Sequence, residues 1–181
     1  MDVQPTTFYE IMSPRCTALI STRDKNGVPD AAPYSFITPV SANPPMVLIS
    51  SAPTRRTLAN IRETGEFVIN MVPESMLDKM MACAKPCPKD KNKIAAVGLT
   101  EKKSNQVKAP SIQECVAWIE CRLEFEKEAG DHILVVARVL NAACKAEIIK
   151  GDQFEPACAK PVMHIRGKRF AVAERVVVSK D

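Results

Sequence analysis

Residues 119–140 read I-E-C-R-L-E-F-E-K-E-A-G-D-H-I-L-V-V-A-R-V-L. Ile119, Cys121, Leu123 and Phe125 alternate with Glu120, Arg122, Glu124 and Glu126. Successive side chains of a strand point to opposite faces, so this period of two predicts an antiparallel strand with one wet face. Ala129, Gly130 and Asp131 turn the chain, and residues 132–140 return as a mostly apolar strand. A long β-hairpin is therefore the expected centre of the fold.

Working outward, residues 16–22 read as a strand, and Asp24-Lys25-Asn26-Gly27 as a tight hairpin turn, because Asn-Gly favours positive φ. Residues 28–38 form the expected return strand. Pro29 and Pro33 cannot donate to a ladder, which places this strand at an edge or gives it a bulge. Residues 41–45 read as a turn and 46–50 as a short buried strand. Residues 55–64 predict a helix with Leu58 and Ile61 on one face, stopped by Gly65. Residues 66–72 are a strand. Residues 73–84 predict a helix whose Met76, Leu77, Met80 and Met81 pack on the core. A short helix over 91–97, a surface loop over 100–110, and strands over 144–150 and 162–173 complete the reading. Strands joined by short turns, with a few inserted helices, predict a mainly β Greek-key or meander barrel rather than a parallel βαβ sheet. The whole of residues 1–181 reads as one domain.

Composition narrows the function. No apolar run is long enough to span a bilayer, and the start M-D-V-Q-P-T-T has no basic and apolar leader, so a cytoplasmic protein is expected. Net charge is +4, from 25 basic and 21 acidic residues. Lys85, Lys89, Lys91, Lys93, Lys102, Lys103 and Lys108 cluster. They read either as a solvated basic loop or as an attractor for an anionic cosubstrate such as a pyridine nucleotide. No aromatics interleave them, so a stacking platform for nucleic acid is not expected. The seven cysteines read as reduced thiols. Cys83 and Cys87 form C-x-x-x-C, but no second pair or suitably spaced histidine accompanies them, so no metal site is expected. The role of that pair stays open, and Cys121 reads as an inert buried thiol. Rossmann, P-loop and G-x-S-x-G motifs are absent from the sequence.

One constellation carries chemistry. Ser50, Ser51, Thr54, Arg55, Arg56 and Thr57 gather where a strand hands over to a helix. A helix N-terminus offers unpaired N–H groups and a positive partial charge, so a phosphate there would reverse the penalty on two cations. A solvated arginine pair with Thr54 as cap explains the same residues equally well. Pro33-Tyr34-Ser35-Phe36 offers a proline-disturbed backbone, a hydroxyl and two aromatics, which suits the edge and faces of an isoalloxazine ring. A half-buried edge strand is the plainer account of that stretch alone. Together the two stretches read as a flavin mononucleotide (FMN) site.

The order of five stretches carries a resemblance. A-L-I-S-T-R-D-x-N-G (18–27), A-P-Y-S-F (32–36), N-P-P-M-V-L-I-S (43–50), T-L-A-N-I-R-E-T-G-E-F-V-I-N (57–70) and G-D-H (130–132) follow one another. In that order the chain resembles, over about 13–173, the flavin reductase-like family of FMN-binding split barrels. The resemblance implies a six-stranded antiparallel split barrel with added helices, usually a homodimer. It implies that Pro33, Tyr34, Ser35 and Phe36 lie against the FMN ring and ribityl chain. Ser50, Ser51 and Thr57 would meet ribityl and phosphate, assisted by Arg55 or Arg56. His132 matches a position on the flavin and nicotinamide side, and also reads as a strand-start histidine bonded to a turn; His164 is expected to be structural. The implied activity is hydride transfer from NAD(P)H to FMN, with electrons passing to a flavin, ferric or other small-molecule or protein acceptor. The alternative is a flavoredoxin-like FMN electron carrier reduced by a partner protein, with no nicotinamide site. A nucleic-acid-binding barrel is a third, more distant reading. The cysteine-rich segment and the lack of an aromatic loop near the nicotinamide depart from the family's pattern.

Overall fold

The expected hairpin lies near the middle of a seven-stranded antiparallel sheet. A computed structural model describes residues 2–179. The strands are β1 (Ala18–Arg23), β2 (Pro29–Tyr34), β3 (Ile37–Ala42), β4 (Pro45–Ser51), β5 (Glu66–Met71), β6 (Ala117–Ala129) and β7 (His132–Cys144). Their order is β2-β1-β5-β6-β7-β4-β3, and every pairing is antiparallel. Along the exposed length of the hairpin Arg138 pairs with Glu124, and Arg62, from a helix earlier in the chain, pairs with Glu126. A second sheet pairs Arg15–Cys16 with β8 (Val162–Arg166), which pairs with β9 (Arg169–Val172).

The ends of β2 and β4 approach each other, with Tyr34 Oη 2.8 Å from Ser51 Oγ. The sheet is thus curled into a mainly β split barrel. It has one strand more than the six expected, because residues 28–38 do not form one strand. The chain leaves β2 at Tyr34, passes through Ser35 and Phe36 outside either strand, and joins the other sheet edge as β3. There the Phe36 carbonyl accepts the Ser50 N–H at 2.9 Å. The region 144–150 is also not one strand: β7 ends at Cys144, and a 3₁₀ turn over Ala146–Ile148 follows.

Four helices dress the sheet: α1 (Arg56–Thr64), α2 (Leu77–Cys83), α3 (Lys93–Ala96) and α4 (Pro156–Ala159). The expected helix over 73–84 begins instead as a 3₁₀ turn, Glu74–Met76, because Pro73 opens it in extended backbone. Both faces of β1 are buried. Leu19 packs with Met76, Met80, Ile94 and Trp118, while Ile20 packs with Leu58, Ile61, Phe67 and Cys121. Complete burial of Leu58 and Ile61 fastens α1 to the sheet, at about 2 kcal/mol for each side chain. That attachment fixes where the start of α1 points.

Candidate functional site

The link from β4 to α1 is short, and Arg55 holds the N-cap position with extended backbone (φ −72, ψ 135). An N-cap position prefers a side chain that can accept a hydrogen bond, which arginine cannot do. Arg55 makes no side-chain cap hydrogen bond, and among the described residues Thr54 supplies none in its place. The N–H groups of the first turn therefore stay open to an outside acceptor. Arg55, Arg56 and Thr57 line a cavity of about 370 Å³ together with Pro33 and Tyr34. Lys85, Lys89 and Lys93 also line it, so five basic residues stand against one acidic residue, Asp30.

Tyr34 is part of the cavity lining. It is 8 % exposed and turns inward, beneath the start of α1. Its hydroxyl meets Ser51 Oγ at 2.8 Å, and both Ser51 and Thr57 are buried. Burial pushes the phenol upward from its ordinary pKa, partly opposed by hydrogen bonding to Ser51 and Thr57. Tyr34, Ser51 and Thr57 thus form one buried hydroxyl group under the helix. Ser50 is held by its backbone bond to Phe36.

The two arginines divide. Arg55 forms no ion pair among the described residues. Arg56 donates to the carbonyls of Pro88 (3.2 Å) and Lys89 (2.8 Å) and stands 3.7 Å from Asp30. Sequence reasoning missed Asp30, and Lys93 beyond its place in the lysine cluster. Asp30 is fully buried in β2, and Lys93 Nζ lies 2.9 Å from its Oδ1. The available signal was the charge inside P-D-A-A-P, an acid among small apolar residues.

Two further cavities continue the first. One of about 150 Å³ shares Pro33, Tyr34 and Ala84 with it and is closed by Met80, Met81, His164 and Phe170. The next, about 380 Å³ and mostly apolar, shares Ser35 and is walled by Tyr9, Arg15, Phe36 and Leu48. The stretch Pro33–Phe36 therefore runs past all three. His164, expected to be structural, reaches this strip: Nδ1 lies 3.5 Å from Ser35 Oγ and 3.2 Å from Arg15 Nη2, and Nε2 lies 3.2 Å from the Gly167 carbonyl. The pairing of Arg15–Cys16 with β8 brings it there. His132 lines none of the three cavities. Its Nδ1 lies 2.7 Å from Asp131 Oδ1, and its ring centroid is 5.7 Å from that of Phe36.

The donor set suits a phosphate-bearing planar ligand: open helix N–H groups, clustered cations and a buried hydroxyl group, followed by a narrow slot with methionine and histidine walls. All seven cysteines are free thiols. Cys83 and Cys87 line the basic cavity, and burial raises the Cys83 thiol to about 11. Among the described residues no group of three or more His, Cys, Asp or Glu is placed to hold a metal ion, and no helix is long and apolar enough to cross a membrane.

Known proteins share this architecture. The family model described as flavin reductase like domain matches residues 12–173. An uncharacterized protein of Methanothermobacter thermautotrophicus is 35 % identical over 166 residues, covering 88 % of this chain and 78 % of that protein. Nitrilotriacetate monooxygenase component B from Bacillus cereus matches with a TM-score of 0.87 at 24 % identity, over 99 % of this chain and 98 % of that one. The FMN-binding protein from Thermus thermophilus with bound 1-cyclohex-2-enone matches with a TM-score of 0.85 at 19 % identity, over 99 % and 98 % of the two chains. With its split barrel and a family match over nearly its whole length, the chain belongs to the flavin reductase-like family and has its flavin-binding, oxidoreductase-type fold.

Proposed function

We propose that this protein, as a single domain, is an FMN-binding oxidoreductase. It takes hydride from NAD(P)H and passes electrons to a flavin, ferric or other small-molecule or protein acceptor. The observation that carries this reading is the basic cavity at the uncapped start of α1, continuous through Pro33 and Tyr34 with the slot beside Ser35. The FMN-binding fold neighbour supports the choice of flavin.

In this reading Arg55, Thr57 and the open N–H groups of α1 hold the phosphate. Ser50 and Ser51 meet the ribityl chain, with Ser51 fixed by the Tyr34 hydroxyl. Pro33, Tyr34, Ser35 and Phe36 supply the wall along the ring and ribityl chain, and Met80 and Met81 adapt to the ring's edge and exclude water. Arg56 acts on the wall of the cavity through its two carbonyl contacts. Bound flavin supplies the hydride chemistry; the protein supplies position and electrostatics. In this reading His132, which lies beside Phe36 with its Nδ1 on Asp131, is the group assigned to the nicotinamide side. A homodimer fits the exposed Phe8, Ile11, Met12 and Val40, two of which line the apolar cavity. A solution mass of twice 19.9 kDa checks that arrangement.

The test is anaerobic mixing of the FMN-loaded protein with NADH and with NADPH. Bleaching of the flavin by either is expected. No bleaching with both removes the nicotinamide step and leaves a carrier reduced by a partner protein. Failure of the protein to bind FMN at all removes the flavin reading. His132→Ala should slow bleaching with FMN affinity unchanged, and an unaltered rate would strip His132 of a role in hydride transfer.

A further inference from the structure

Asp30 is the one acid on the wall of a cavity whose other charged residues are all cations, and it is fully buried. Burying a carboxylate costs several kcal/mol unless charge partners and hydrogen bonds offset the loss of water. Here the compensation is incomplete. Neither Oδ1 nor Oδ2 receives a directed hydrogen bond, although Lys93 Nζ lies 2.9 Å and Arg56 Nη1 3.7 Å from Oδ1. Lys93 is itself buried, and among the described residues its ammonium makes one hydrogen bond, a long one of 3.5 Å to the Cys83 carbonyl. Arg56 uses its other contacts on the carbonyls of Pro88 and Lys89, in the segment that forms the outer wall of the cavity.

We propose that Asp30 is a positioning residue for phosphate recognition. Its buried carboxylate holds the Lys93 ammonium at the cavity floor and anchors Arg56, and Arg56 in turn fixes the Pro88–Lys89 segment against the start of α1. This rests on the FMN reading above and adds to it a residue that touches no phosphate. The opposite role is physically open to an acid so placed, because a carboxylate in an anion site repels the anion. The two roles differ in sign, and the sign can be measured.

The experiment compares the dissociation constants of FMN and of riboflavin, which lacks the phosphate, for the full-length protein and for Asp30→Asn, which keeps the shape and removes the charge. The expected result is FMN binding weakened about tenfold with riboflavin binding unchanged, the size of coupling usual for groups in one charge network. An unchanged FMN-to-riboflavin ratio, or tighter FMN binding, overturns the proposal. Should Asp30→Asn fail to fold, Arg56→Lys decides: it keeps the positive charge, the buried carboxylate and Lys93 but loses the guanidinium's two carbonyl contacts. Loss of the phosphate preference in that variant supports the proposal, and an unchanged preference overturns it. A wild-type protein that binds FMN no better than riboflavin, or binds neither, instead overturns the FMN reading on which the proposal rests.

Discussion

Tyr34 Oη and Ser51 Oγ lie 2.8 Å apart where neither reaches water. Tyr34→Phe removes one partner, and Ser51 keeps only its 3.2 Å contact to the Ala52 carbonyl. The expected loss is about 1 kcal/mol of stability, read from urea unfolding. A variant as stable as wild type would show that this bond contributes nothing net. Cys121 offers a pH test. Burial pushes its thiol from 9.0 up to about 12. The unfolded chain then releases this proton first, so between those values the native state binds more protons and stability falls as pH rises. Below that window the contribution is whole. Cys121→Ala should therefore show a smaller drop in urea midpoint than wild type between about pH 8 and about pH 10.5; equal drops would place the alkaline loss elsewhere. Cys121 was legible as a buried position from the alternation around it, although that alternation does not hold along the strand: Glu120, read on the wet face, is buried and Phe125, read on the dry face, is exposed. Asp30 was not legible, since its partners Arg56 and Lys93 lie on other elements, and no spacing rule connects them.

Helix α1 stops at Gly65, whose φ of 73 lies in the left-handed region and whose N–H reaches the Ile61 carbonyl at 2.7 Å. A Cβ there would meet no atom within 4 Å, so substitution costs backbone strain rather than a clash. Gly65→Ala should lose about 1 kcal/mol in urea unfolding, and Gly65→Asn less, because asparagine tolerates this conformation better than alanine. Equal stability of all three proteins would mean that the turn relaxes away from positive φ. Such punctuation made the elements readable. Asn26-Gly27 marked the first hairpin, Gly65 the helix end and Gly130 the long hairpin turn, each with positive φ where glycine supplies it. The break between β2 and β3 carries no such mark. Ser35 and Phe36 sit among strand formers on both sides, and the chain changes edge there because β4 supplies the Ser50 N–H to the Phe36 carbonyl. A partner strand made that decision, which local propensity does not register. The same holds for the start of α1, where the division of labour between Arg55 and Arg56 depends on the distant Pro88 and Lys89.

Across the whole molecule, the three cavities are lined from β2, α1, α2, the segment after it, and the β8–β9 hairpin. These elements meet only in the folded chain, so a ligand in the cavities binds the native state and leaves the unfolded state alone. Linkage then requires stabilisation by RT ln(1 + [L]/Kd), about 2.7 kcal/mol at a hundredfold excess over Kd. FMN should accordingly raise the urea midpoint in proportion to the logarithm of its concentration. Riboflavin at equal concentration should raise it less, since it cannot use the open N–H groups of α1 or Arg55. Arg55→Gln should bring the FMN shift close to that of riboflavin while leaving the unliganded midpoint nearly unchanged, because Arg55 pairs with no acid among the described residues. A saturating concentration of FMN that moves nothing would mean that the native cavities do not take it. Equal shifts from FMN and riboflavin in the wild-type protein would put the phosphate in water, away from the start of α1.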